Sequence, residues 1–140
     1  MEAAIGLVQL KKLDRLNQKR IENSEYILDA LKDLPWAHVP VPENKNITHT
    51  YFWCPVMVRP ESEKTIEDLK SHLKNNGIGF RERYKEPLYK QPVLARLGLD
   101  YRDEYLPNAE TISGKVIGLP NHPGLTTDQI NKIFRVIKEF

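Results

Sequence analysis

The sequence predicts an α+β domain, a small sheet with helices packed against one side of it. Apolar residues recur three or four apart at both ends of the chain, and they alternate every second position in the middle. Pro, Gly and Asn separate these stretches. The 140 residues suit a single domain. It divides into a long helix over residues 1–34 and an α+β body over residues 35–140.

The helix rests on Ile5, Leu7, Leu10, Leu13, Leu16, Ile21, Ile27, Leu28, Leu31 and Leu34, and Pro35 closes it. An unbroken helix of that length would reach roughly 50 Å. A compact domain of this size is only about 30–35 Å across. Part of the helix is therefore expected to overhang and to bridge to another domain or another copy of the chain.

Val39 to Val41 reads as a short edge strand and Thr48 to Val58 as a clearer one. In the second, Thr50, Phe52, Cys54, Val56 and Val58 share one face, with Tyr51, Trp53 and Met57 on the other. Ser62 to Asn76 predicts a helix stopped by Gly77, and Ile78 to Tyr84 a following strand. Short helices are expected over Val93 to Leu97 and from Pro107 to Ser113, with a strand over Lys115 to Leu119. Thr126 and Gln129 have capping-box spacing ahead of Ile130, Ile133, Phe134 and Ile137.

Composition narrows the function. Twenty-one Lys and Arg against nineteen Asp and Glu leave a formal charge of +2, spread too evenly for a nucleic-acid footprint. No apolar run is long enough to span a membrane, and the N-terminus lacks a signal-peptide layout. The single cysteine, Cys54, has no internal disulfide partner, so the cytoplasm is the expected compartment. His and Cys residues do not cluster at zinc-ligand spacing.

The most suggestive chemistry lies in Arg81-Glu82-Arg83-Tyr84-Lys85-Glu86-Pro87-Leu88-Tyr89-Lys90-Gln91. Arginine forks fit phosphate or carboxylate, and tyrosine offers a ring and a hydroxyl. The segment reads either as an anion-holding loop or as a solvated loop whose arginines pair with Glu82 and Glu86. Exposed charges ordinarily take the second form. His122 sits in the turn Leu119-Pro120-Asn121-His122-Pro123-Gly124, and His49 at a strand start. A histidine without a partner nucleophile is more often a turn or packing residue. Cys54 lies in an apolar strand and reads as packing. Residue chemistry alone yields no reaction.

A resemblance adds one. Glu2-Ala3-Ala4-Ile5-Gly6-Leu7-Val8-Gln9-Leu10-Lys11-Lys12-Leu13, then His49-Thr50-Tyr51-Phe52-Trp53, then Gly77-Ile78-Gly79 follow one another along the chain. After these come the loop with Arg81, Tyr84, Pro87, Leu88 and Gln91, and finally Leu119-Pro120-Asn121-His122-Pro123-Gly124-Leu125-Thr126. Their types and order resemble the DegT/StrS sugar aminotransferases. The resemblance implies the C-terminal small domain of a fold-type-I pyridoxal-phosphate enzyme, with a small, mostly antiparallel sheet. That family moves an amino group to a keto sugar carried on a nucleotide, usually as a homodimer with shared sites.

The Schiff-base lysine, the acid facing the pyridine nitrogen and the phosphate cup belong to the family's large domain. No lysine here stands in a matching context, so no catalytic or cofactor-binding residue is assigned and pyridoxal phosphate is not expected on this chain alone. Arg81, Arg83, Tyr84, Tyr89 and His122 are the expected substrate contacts; Tyr89 departs from the pattern, since many members carry histidine there. Two functions compete: half of an enzyme that docks onto a separate large domain, or a stand-alone module that self-associates and binds a sugar nucleotide or a protein.

Overall fold

The computed structural model describes residues 1–39, 46–99, 101, 103 and 105–140. Helices α1 (Glu2–Leu10) and α2 (Leu13–Leu31) open the chain, followed by strands β1 (Ala37–His38) and β2 (Cys54–Val58) and helix α3 (Ile66–Asn75). After β3 (Arg81–Glu82) come a single 3-10 turn (Leu88–Lys90) and the short helices α4 (Pro92–Arg96) and α5 (Pro107–Ile112). Strand β4 (Val116–Leu119) and helix α6 (Thr127–Glu139) end it.

The sheet runs β1-β2-β4-β3, antiparallel at every pairing. Antiparallel register puts opposed residues on the same face. Cys54 lies opposite Leu119 and Val56 opposite Ile117, and these four side chains are buried. Against them pack Ile27, Leu28 and Leu31 of α2, Leu69 and Leu73 of α3, and Ile130, Ile133, Val136 and Ile137 of α6. The other sheet face carries Pro55, Gly118 and Arg81 in one register row. This is the α+β fold expected, with the helical layer on one side.

The ends of the helices follow from local chemistry. Thr126 and Gln129 form the expected capping box, and Thr65 and Asp68 form a second at α3. Gly77 stops α3 with φ 68°, a left-handed conformation that glycine takes freely.

Four expectations need correcting in detail. The N-terminal helical segment breaks at Lys11 and Lys12, where Lys12 N–H bonds back three residues to Gln9. No residue of α1 is buried, so packing does not hold the two helices in one rod, and local propensity alone is marginal over nine residues. Strand β2 begins at Cys54, not Thr48, because Tyr51 is left-handed (φ 46°) and turns the chain before it. Phe52 consequently lies exposed and not beside Cys54. The Ile78-to-Tyr84 strand shrinks to Arg81–Glu82, since β4 pairs only those two residues and Tyr84 is again left-handed (φ 56°). The first edge strand falls at Ala37–His38, one step before the expected Val39; residues 40–41 lie outside the described set.

Candidate functional site

The uncovered sheet face carries a groove. Trp53 lies across β4 there. A Cβ built on Gly118 would fall 1.4 Å from its Nε1, so the indole rests where only glycine leaves room. The Nε1 atom is buried and has no hydrogen-bond acceptor among the described residues. Arg81, in register with Gly118, stands beside it. Arg20, Phe52, Phe80 and His122 complete a groove of about 360 Å³.

Buried amides set this geometry. Asn121 Nδ2 donates to Ser24 Oγ (3.0 Å) and to the carbonyl of left-handed Tyr51 (2.5 Å). Asn23 Nδ2 donates to the His122 carbonyl (3.1 Å). Helix α2 thereby fixes both the chain entering β2 and the turn leaving β4. Cys54 lies beside this network; burial pushes its thiol up to about 12, against the pull of the Ser24 hydroxyl, so it is a neutral packing group at physiological pH.

The expected contact residues divide into three places. Arg81 and His122 share the groove. Arg83 lines a separate cleft with Glu67, Lys70, Glu82 and Lys85. Glu82 there pairs with Lys85 (3.0 Å) and Lys70 (3.5 Å), not with the loop's arginines. Tyr84 is exposed, its ring centroid 6.2 Å from that of Trp53. Tyr89 is buried, and its hydroxyl donates to Glu110, which also holds Lys90 at 2.5 Å.

This last trio ties the loop to α5 and gives a pH prediction. Hydrogen bonds from Lys90 and then Tyr89 hold the Glu110 carboxyl below its ordinary range. A lowered carboxylate stabilises the fold above its ordinary pKa, and that contribution fades as pH falls through the lowered folded value. The protection of the Leu88 to Gln91 amides, exchange taken relative to the intrinsic rate at each pH, is therefore expected to hold through neutral pH and to fall on acidification below the usual carboxylate range. Glu110→Gln should remove that acid step. An identical step in the variant would show that another group controls the loop.

Neither concavity fits pyridoxal phosphate as a resident group. Among the described residues the groove is lined by no lysine and no carboxylate. In the cleft, burial works to lower the Lys70 pKa, but Glu67 at 2.6 Å and then Glu82 outweigh it and hold the amine above its ordinary value. A Schiff base needs the neutral amine.

Residue chemistry missed Arg20, Trp53 and the two asparagines. One signal was legible: Gly118 in the middle of a strand marks a close approach. Arg20 was hidden among the polar residues of a long helix.

Fold and groove together define a two-layer α+β domain with a cationic, aromatic-lined groove on its uncovered sheet face. The chain belongs to the DegT/DnrJ/EryC1/StrS aminotransferase family, whose model matches residues 1–138. It is 29% identical to a GDP-perosamine synthase of Escherichia coli O157:H7 over 140 residues, which is 99% of this chain and 35% of that protein. Its fold matches that of DesV from S. venezuelae, solved in complex with a ketimine intermediate, with a TM-score of 0.84 and 26% identity over 98% of this chain and 35% of the other. A GDP-4-keto-6-deoxymannose-3-dehydratase, solved with a trapped PLP-glutamate geminal diamine, matches at 0.79 and 29% identity over 96% of this chain and 34% of the other. The chain thus spans about a third of the length of these relatives. Among the described residues no helix is long and apolar enough to cross a membrane.

Proposed function

We propose that the chain is the C-terminal small domain of a cytoplasmic, pyridoxal-phosphate-dependent keto-sugar aminotransferase. It completes the substrate site and the dimer of an enzyme whose cofactor is held by a large domain. One observation carries this reading: relatives align over 99% of this chain but only 35% of their own length. Helix α1 supports it, because Ile5, Leu7, Val8 and Leu10 lie exposed on an element that buries nothing. In the assembled enzyme Arg81 and His122 would face substrate from the groove, and Arg83 and Tyr84 from the loop. Tyr89 would position that loop through Glu110.

The first test is the absorbance of the purified chain with pyridoxal phosphate, before and after borohydride reduction. No adduct on a defined lysine is expected from the chain alone; adding the cofactor-binding domain of a family member should restore one, on that domain. An adduct fixed to one lysine of the isolated chain would sink the incomplete-enzyme reading. A stable homodimer built on α1 that ignores the added domain would favour the stand-alone module.

A further inference from the structure

Trp53 is inverted for a half-buried tryptophan. Such a side chain ordinarily buries its ring and keeps the indole N–H on an acceptor or in water. Here the pyrrole edge is the buried end, because a Cβ on Gly118 would stand 1.4 Å from Nε1, 2.1 Å from Cδ1 and 2.5 Å from Cε2. Nε1 is closed to solvent and has no acceptor among the described residues. The residue as a whole is half-buried and lines the groove.

The surroundings offer the ring a second place. Asn121 fixes Tyr51, and the β2–β4 ladder starts only at Cys54, opposite Leu119. Beyond Leu119 comes Pro120, which has no N–H to give to Trp53. Trp53 thus stands between two anchored residues, and its side chain can change rotamer without moving either. On the groove side lies Arg81, whose guanidinium makes no hydrogen bond or ion pair among the described residues. A flat guanidinium is a stacking partner for an indole, and an indole resting on it has its N–H in water.

We propose that Trp53 is a two-position shutter on the groove, with an inner position on Gly118 that leaves it open and an outer position against Arg81 that covers it. The inner position keeps the ring packed on β4 with one hydrogen bond unmade. The outer position makes that bond with water and gives up the packing. These two effects oppose each other, and the outer state is expected in about 3% of molecules, roughly a thirtyfold preference for the inner one. Gly118 is what makes the inner position available, since any side chain there would occupy it. The shutter itself stands without the substrate-site reading; what it admits rests on that reading.

The test is relaxation-dispersion NMR on the 15N-labelled full chain, following the indole N–H groups of Trp36 and Trp53. Trp36, 5% exposed and edge-on to Phe140, is the internal reference. Exchange is expected at Trp53 alone. Its minor-state shift should equal that of the Trp53 signal in Gly118→Ala, where the ring is held outside. Arg81→Gln should lower the outer population by about two- to fivefold, as for the loss of an exposed cation–π contact. Lys32→Gln, in an exposed pair at the far end of α2, should leave it unchanged. The Trp53 N–H should exchange with water about thirtyfold more slowly than a free indole, since only the outer state exposes it.

Protection of roughly a thousandfold or more, with no dispersion, would mean a fixed ring and would overturn the shutter. So would a minor state unlike the Gly118→Ala signal, or one that Arg81→Gln leaves untouched. None of these results bears on borohydride reduction. Conversely, a cofactor adduct on the chain's own lysine would refute the incomplete-enzyme reading and leave the shutter standing.

Discussion

Asn121→Leu is expected to remove about 3 kcal/mol of stability, the sum of two buried acceptors losing their donor less the gain from an apolar side chain. Asn121 is 8% exposed, and its amide joins Ser24 on α2 to the Tyr51 carbonyl. Leucine matches its length but donates nothing. At this chain length the loss corresponds to a fall in Tm of about 10 °C. Urea unfolding should show a lower midpoint at unchanged slope, the mark of altered stability with the same unfolded state. Asn131→Ala, at an exposed bond to Tyr26, is the control, with an effect within about 0.5 kcal/mol. If Asn121→Leu behaves like that control, the amide bridge is not what holds Tyr51. The substitution also predicts a loss of function, because a Tyr51 released from its left-handed conformation carries Phe52 and Trp53 with it.

The elements that were legible in the sequence are those encoded by their own neighbours. Thr126 and Gln129 announce α6 three residues apart, and Gly77 announces the end of α3, because a cap needs only adjacent chemistry. The strand ends were not legible. Alternation continues through Thr50 and Phe52, yet pairing requires a partner strand, and β4 offers only four residues. Asn121, distant in sequence, imposes the left-handed turn at Tyr51 that ends the alternation. The same distinction applies to the site. Arginine and histidine chemistry named Arg81 and His122, but the register that puts Arg81 beside Gly118, and so beside Trp53, exists only once the sheet is paired. Tyr89 illustrates the reverse. Its ring and hydroxyl suggest an open contact, and Glu110, twenty-one residues on, turns it inward.

Gly118→Ala is expected to cost about 2 kcal/mol, although alanine is the better strand residue in isolation by roughly 0.5–1 kcal/mol. The new Cβ would stand 1.4 Å from Trp53 Nε1 and 2.1 Å from its Cδ1, distances at which the indole has to leave the sheet. Because Trp53 is only half-buried, it has somewhere to go, and the chain should stay folded with a red-shifted emission. Trp53→Ala removes the obstacle. In that background Gly118→Ala should cost nothing or even stabilise, giving an interaction energy of about 2 kcal/mol in the double-mutant cycle. Additive effects would mean that the indole does not lie on Gly118.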